Sequence, residues 1–81
     1  MLEEGQDTHY SMVLEWEPVG NAFVVTVPEL PGCRTHGRTY EEAVRQGQDA
    51  IATWIEGARS DRELIPEPRT FALHSAEQPV R

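Results

Sequence analysis

Among the carboxylates on segments with a regular hydrophobic period are Glu15 and Glu17 early in the chain and Glu42 and Asp49 in its middle. Converging carboxylates hold a divalent cation and activate water for phosphodiester cleavage, so metal-dependent nuclease chemistry is the first to weigh. It needs acids from several elements meeting at one point. Glu42 is accounted for at a helix start, Glu15 as an outward strand residue, and the late segment Arg69-Thr-Phe-Ala-Leu-His74 contributes no acid. His9, His36 and His74 are far apart and lack cysteine or aspartate at ligand spacing, which reads as surface or strand histidine, with no metal site and no cofactor. Cys33 is the only cysteine. It can form neither an intrachain disulfide nor a thiolate metal site, and without a base beside it reads as a small, partly buried strand residue. Arg34, His36 and Arg38 alternate as a basic row. A nucleic-acid contact is one use for such a row, and pairing with Glu15 or Glu17 across a sheet is the more frequent one. The titratable residues therefore point to recognition by charge and not to catalysis.

Composition agrees. The chain has 81 residues and a formal charge of −7, from 14 acids against 7 bases, all of them arginine. An acidic chain without lysine is poorly suited to holding a phosphate backbone and better suited to facing a basic protein, where opposite fields speed encounter. The same charge also maintains solubility. A chain of this size makes one small domain that buries roughly 60% of its unfolded surface, and self-association covers what a small core cannot. There is no charged-then-apolar leader near Met1 and no apolar run approaching about 20 residues, so a membrane span is not expected and the expected location is the cytoplasm.

The elements that must position these residues follow from hydrophobic period. Residues 1–9 are polar and unpatterned and are expected to fray; residues 10–74 form a single domain; residues 75–81 are a loose tail. From Tyr10 to Trp16 the residues alternate, with Tyr10, Met12, Leu14 and Trp16 on one side and Ser11, Val13 and Glu15 on the other. Glu17-Pro18-Val19-Gly20-Asn21 has hairpin-turn chemistry. Ala22 to Val27 is a second strand with Phe23, Val25 and Val27 on one face. Pro28 to Cys33 is a rigid corner: Pro28 and Pro31 each fix φ and remove a donor, and Gly32 can take positive φ. Cys33 to Arg38 completes an antiparallel meander. At Thr39 the period turns helical. Thr39-Tyr-Glu-Glu42 reads as a capping box, the Thr39 hydroxyl accepting from the Glu42 amide and the Glu42 carboxylate reaching back to the Thr39 amide. Ala43, Val44, Gly47, Ala50, Ile51, Trp54, Ile55 and Ala58 form the apolar stripe, and Ser60-Asp61 ends the helix. Arg69 to His74 is expected to add a short fourth strand.

The fold class is therefore α+β: a three-stranded antiparallel meander, one helix on one face and a short fourth strand, in the order β-β-β-α-β. The helix is expected to cover the face with Met12, Leu14, Trp16, Phe23, Val25 and Val27, which places Trp16 in the core; Trp54 fits either the core or an interface anchor. The other face, with Ser11, Val13, Ala22, Val24 and Thr26, is left bare. A half-apolar bare face implies a subunit or partner surface, against the plain alternative of a solvated antiparallel face.

The run Val27-Pro-Glu-Leu-Pro-Gly-Cys-Arg-Thr-His-Gly37, followed by Thr39, Glu41, Glu42 and Ala43 and later by Ala50, Trp54 and Ile55, resembles the HicB family of antitoxins over about Tyr10 to Ile55. The fold-defining residues of that match are Pro28, Pro31, Gly32, Cys33, Gly37, Thr39 and Glu42. The resemblance implies a truncated ribonuclease-H-like fold and a non-enzymatic role: binding and silencing a small basic mRNA-cleaving toxin, HicA. Many family members add a carboxyl-terminal DNA-binding module. Here only Ser75 to Arg81 follow the expected fourth strand, so direct DNA binding by this chain alone is not expected. Val13, Glu15, Glu17, Val24 and Glu29 are the candidate partner-binding residues, the acids meeting the toxin's bases. A homodimer or higher homo-oligomer is expected through the bare face, and a stand-alone structural homo-oligomer or orphan regulator without a toxin is the alternative.

Overall fold

The computed structural model describes residues 9–71. Three strands, β1 (Val13–Glu17), β2 (Ala22–Thr26) and β3 (Arg34–Gly37), form an antiparallel sheet in the order β1-β2-β3, and one helix, α1 (Tyr40–Ser60), follows. This is the expected α+β meander. Of the expected fourth strand, Arg69 to Phe71 have no regular strand structure and residues 72–74 lie outside the described residues.

Each connection has a local cause. Between β1 and β2 the Glu17 carboxylate accepts the Val19 amide at 2.9 Å, and Asn21 takes the left-handed conformation with φ of 56°. The corner from β2 to β3 is two successive turns that share Leu30. The Leu30 amide donates to the Val27 carbonyl at 3.1 Å and the Cys33 amide to the Leu30 carbonyl at 3.0 Å. Pro28 and Pro31 occupy the second position of each turn, where their fixed φ is pre-set. Gly32 follows Pro31 at φ 79°, the position that a type II turn reserves for glycine. The Val27 amide then donates to the Cys33 carbonyl at 3.1 Å, closing the corner around Leu30, which is 1% exposed.

The helix starts as a capping box with one change from expectation. The Glu42 amide donates to the Thr39 hydroxyl at 3.0 Å, but the Glu42 carboxylate accepts the amide of Arg38, at 2.8 Å, and not that of Thr39. The extended backbone of Thr39 (φ −127°, ψ 168°) continues from β3, and it is the Arg38 N–H that comes within reach of the carboxylate. The end is a Schellman motif: Glu63 N–H to Ala58 C=O at 2.9 Å and Arg62 N–H to Arg59 C=O at 3.0 Å, with Arg62 left-handed at φ 58°.

The core is Tyr10, Val27, Leu30, Cys33, Ile51 and Ile55, with Met12, Ala50, Trp54 and Ile65 packed against it. Each fully buried aliphatic side chain of this kind contributes about 1.5–3 kcal/mol. Glycines set the closest approaches of helix to sheet. A Cβ on Gly47 would lie 2.5 Å from the Met12 sulfur and 3.2 Å from Val25 Cγ1, and one on Gly37 would lie 2.5 Å from the Ala43 backbone nitrogen. The helix rests on β3 and β2. It does not extend its cover to the end of β1, and Trp16, expected in the core, is 49% exposed.

Candidate functional site

The strand register divides the sheet's side chains between two faces. Leu14, Val25 and Thr35 share a row beneath the helix, as do Trp16, Phe23 and Gly37. On the bare face the rows are Val13–Thr26–Arg34 and Glu15–Val24–His36, with Glu17 beside Ala22. The candidate residues Val13, Glu15, Glu17 and Val24 thus share one surface. Val13 is 42% exposed and Val24 half-buried, and a shallow depression over this face is lined by Glu17, Gly20, Ala22, Val24, Arg34 and His36.

That face is electrically polarised. Its acids stand on β1 and its bases on β3, with β2 between them. Cross-strand pairing of Glu15 or Glu17 with Arg34, His36 or Arg38, the expected arrangement, requires adjacent strands; here Val24 separates Glu15 from His36, a gap of roughly two 4.8 Å strand spacings. The exposed Glu15 carboxylate is left to face outward, and the half-buried Glu17 carboxylate beside it is turned onto the Val19 amide, which together make a negative border on β1.

Glu29, the third candidate acid, sits elsewhere, on the corner. Its carboxylate accepts the Ser11 amide at 3.1 and 3.2 Å, the Ser11 hydroxyl at 2.9 Å and the Arg69 amide at 2.8 Å. Partial burial raises its pKa, but the bonds from Arg69, from its own amide and from Ser11 outweigh that and hold the carboxyl below its ordinary value. Its charge is thus engaged inside the molecule, tying the entry to β1 and the segment after the helix to one point. The Tyr10 hydroxyl donates to the Pro66 carbonyl beside it. The bonds linking residues 11, 29 and 69 leave no local pattern, so from sequence Glu29 reads only as a candidate partner-binding acid.

The residues that could carry other chemistry are held apart. Glu15 and Glu17 face away from the helix, whereas Asp49 is exposed on it and Glu42 is occupied at its cap. Among the described residues no three His, Cys, Asp or Glu side chains are placed to hold a metal ion. Burial pushes the Cys33 thiol up, which disfavours the thiolate. Trp54 is half-buried with its indole N–H donating to the Pro31 carbonyl at 2.9 Å, so it braces the corner. His36 is exposed on the bare face, His9 is exposed, and His74 lies outside the described residues.

One feature was not anticipated. Trp16, Phe23 and Tyr40 form a continuous aromatic row: Trp16 meets Phe23 edge-on with centroids 5.0 Å apart, and Phe23 stacks on Tyr40 at 4.4 Å. The cross-strand partner of Phe23 is Gly37, which has no side chain and lets the helix start approach the sheet there, with the Tyr40 ring stacked on Phe23. Periodicity could place Trp16 and Phe23 on one face, but not show that the helix stops short of them.

Comparison with known proteins fits this architecture. Residues 10–80 match the family described as HicB_like antitoxin of bacterial toxin-antitoxin system. The chain belongs to that family. It is similar to an uncharacterized 14.9 kDa protein of Haemophilus phage HP1, 41% identical over 51 residues, covering 63% of this chain and 38% of the phage protein. A UPF0150 protein of Thermoplasma acidophilum is 46% identical over 44 residues, 54% of this chain and 64% of that protein. Antitoxin HicB 2 of Photorhabdus laumondii is 32% identical over 75 residues, 93% of this chain and 52% of that antitoxin. The chain thus spans between 38% and 64% of the length of these relatives. Among the described residues no helix is long and apolar enough to cross a membrane.

Proposed function

We propose that this chain is an antitoxin that neutralises a small basic HicA-like mRNA-cleaving toxin by direct contact, without chemistry of its own. Membership of the HicB-like antitoxin family supports the role, and the single structural observation that carries the mode of action is the unpaired acidic border of β1. Glu15 is exposed and Glu17 half-buried with its carboxylate accepting the Val19 amide, and neither faces a cation of the neighbouring strand. A basic partner supplies that neutralisation, which speeds encounter and fixes register. Val13 and Val24 provide apolar contact between the charges.

The test is co-expression with a small basic HicA-like mRNA-cleaving toxin. Relief of growth arrest, and a complex whose association slows as salt is raised, is the expected result. The double variant E15K/E17K is expected to slow association at least about ten-fold, since such charges act chiefly on encounter. A toxin that remains active in the presence of the chain removes the reading.

The half-exposed Val13 beside Val24 supports a second feature, self-association through the bare face as a dimer or higher homo-oligomer. Sedimentation of the isolated chain, with Val13→Lys as the disrupting variant, tests it.

A further inference from the structure

We infer that the aromatic row Trp16–Phe23–Tyr40 is a docking shelf for an arginine- or lysine-bearing segment of the basic partner, an inference that rests on the antitoxin reading above. Three of the chain's six aromatic residues lie in this one row. The row is also open: Trp16 is 49% exposed, Tyr40 67%, and Val44, one helical turn on from Tyr40, 39%. Val19 and Leu64 are more exposed still, at 93% each, but neither belongs to a ring cluster, and isolated apolar residues on a surface need no partner.

Two observations select a cationic occupant. The first is the geometry of the rings. Tyr40 stacks on Phe23 at an interplanar angle of 27° and remains 67% exposed; Trp16 stands at 72° to Phe23 and remains 49% exposed. An open ring face presents the negative part of its quadrupole and attracts a guanidinium or ammonium group. The second is the charge at the two ends. Glu15 and Glu17 flank Trp16 on β1, and the exposed Glu41 follows Tyr40 on the helix, while Arg45 lies beyond Val44 and Arg38 precedes the helix cap. Glu41 lies beside the rings, Glu15 and Glu17 project from the opposite face of β1 at the same end of the sheet, and the chain as a whole carries −7. A second copy of this chain brings the same negative field, whereas a basic protein brings the opposite one.

The shelf and the acidic border of β1 meet at the same strand, one on each side of it. A single basic segment crossing the end of β1 would therefore touch rings and carboxylates together. Aromatic anchors surrounded by weaker contacts are the usual carriers of binding energy in protein interfaces.

The experiment measures binding of the full chain to a purified small basic HicA-like toxin, at fixed salt, with Trp16→Ala, Tyr40→Ala, Tyr40→Phe and the control Leu64→Ser. Loss of roughly 30-fold in affinity for each alanine variant is expected, with Tyr40→Phe and Leu64→Ser near wild type. Melting curves establish that the variants fold. Should Trp16→Ala not fold, the emission of Trp16 in a Trp54→Phe background decides: a shift on adding the basic protein supports the shelf, and no shift overturns it. Folded alanine variants that bind as wild type also overturn the shelf, while leaving the antitoxin reading intact. Absence of binding by the wild-type chain removes the antitoxin reading itself. A dimer of the isolated chain that Trp16→Ala dissociates assigns the shelf to a second copy and overturns the inference.

Discussion

The Arg69 amide donates to a Glu29 carboxylate oxygen at 2.8 Å although the two residues are 40 positions apart. The same carboxylate holds the amide and hydroxyl of Ser11, 18 positions before it. One side chain on the Pro/Gly corner therefore fastens both ends of the described domain, and the Tyr10–Pro66 hydrogen bond lies alongside as a second fastening.

Replacing Glu29 by alanine is expected to cost about 1–3 kcal/mol in urea unfolding, because hydrogen bonds to a charged, partly buried acceptor are lost and their donors left to water. Its folded pKa is lowered from 4.5, so the stabilisation is fully present above that value and is lost as pH falls through the depressed folded value. The wild-type chain should lose stability on acidification below about pH 4.5, and Glu29→Gln should flatten that part of the profile. An unchanged acid limb in the variant would contradict the assignment.

The capping box predicts coupling. Thr39→Ala and Glu42→Ala are each expected to cost about 1 kcal/mol. Thr39→Ala strands the Glu42 amide and Glu42→Ala strands the Arg38 amide. A double-mutant cycle by denaturant titration should show non-additivity, since both bonds close the same turn.

Two glycines are predicted to differ. A Cβ on Gly37 would strike the backbone of Ala43 and Glu42, which cannot turn aside, so Gly37→Ala is expected to cost about 3 kcal/mol or more. On Gly47 it would strike the Met12 sulfur, the far end of a flexible side chain, and press on Val25 at 3.2 Å. The gain of about 1 kcal/mol in helix propensity offsets part of that cost. Thermal unfolding should rank Gly37→Ala well below Gly47→Ala.

The end of the helix can be improved. Gly57 lies inside α1 with open space around its would-be Cβ, and Arg62 holds the left-handed position that glycine fills without strain. Gly57→Ala and Arg62→Gly are each expected to stabilise by about 0.5–1 kcal/mol, read as a raised melting temperature.

Much of this fold was legible because its signals are local. Alternation marked the three strands to within about three residues, the Pro28–Cys33 spacing specified the double turn and positive φ at Gly32, and Thr39 with Glu42 marked the helix start. What escaped was the placement of one element over another. The stripe from Ala43 to Ala58 says which side of the helix is buried but not which strands it lies on, so it predicts Trp16 in the core where the structure leaves it half-exposed. The acids were harder still. Glu15, Glu17 and Glu29 look alike in sequence; the first two prove to share a face opposite the helix, while the last is a tether between distant segments.

Only Arg38 and Thr39 separate β3 from the helix, and the contact between Gly37 and Ala43 is made across that short span. Closing so small a loop costs little chain entropy, so the stretch from Arg34 to Ser60 assembles from neighbours. Docking of Ser11 and Arg69 onto Glu29 must instead gather remote pieces of the chain. The stretch from Arg34 to Ser60 is therefore expected to nucleate first, and amide exchange is expected to be fastest where the two ends are gathered on Glu29.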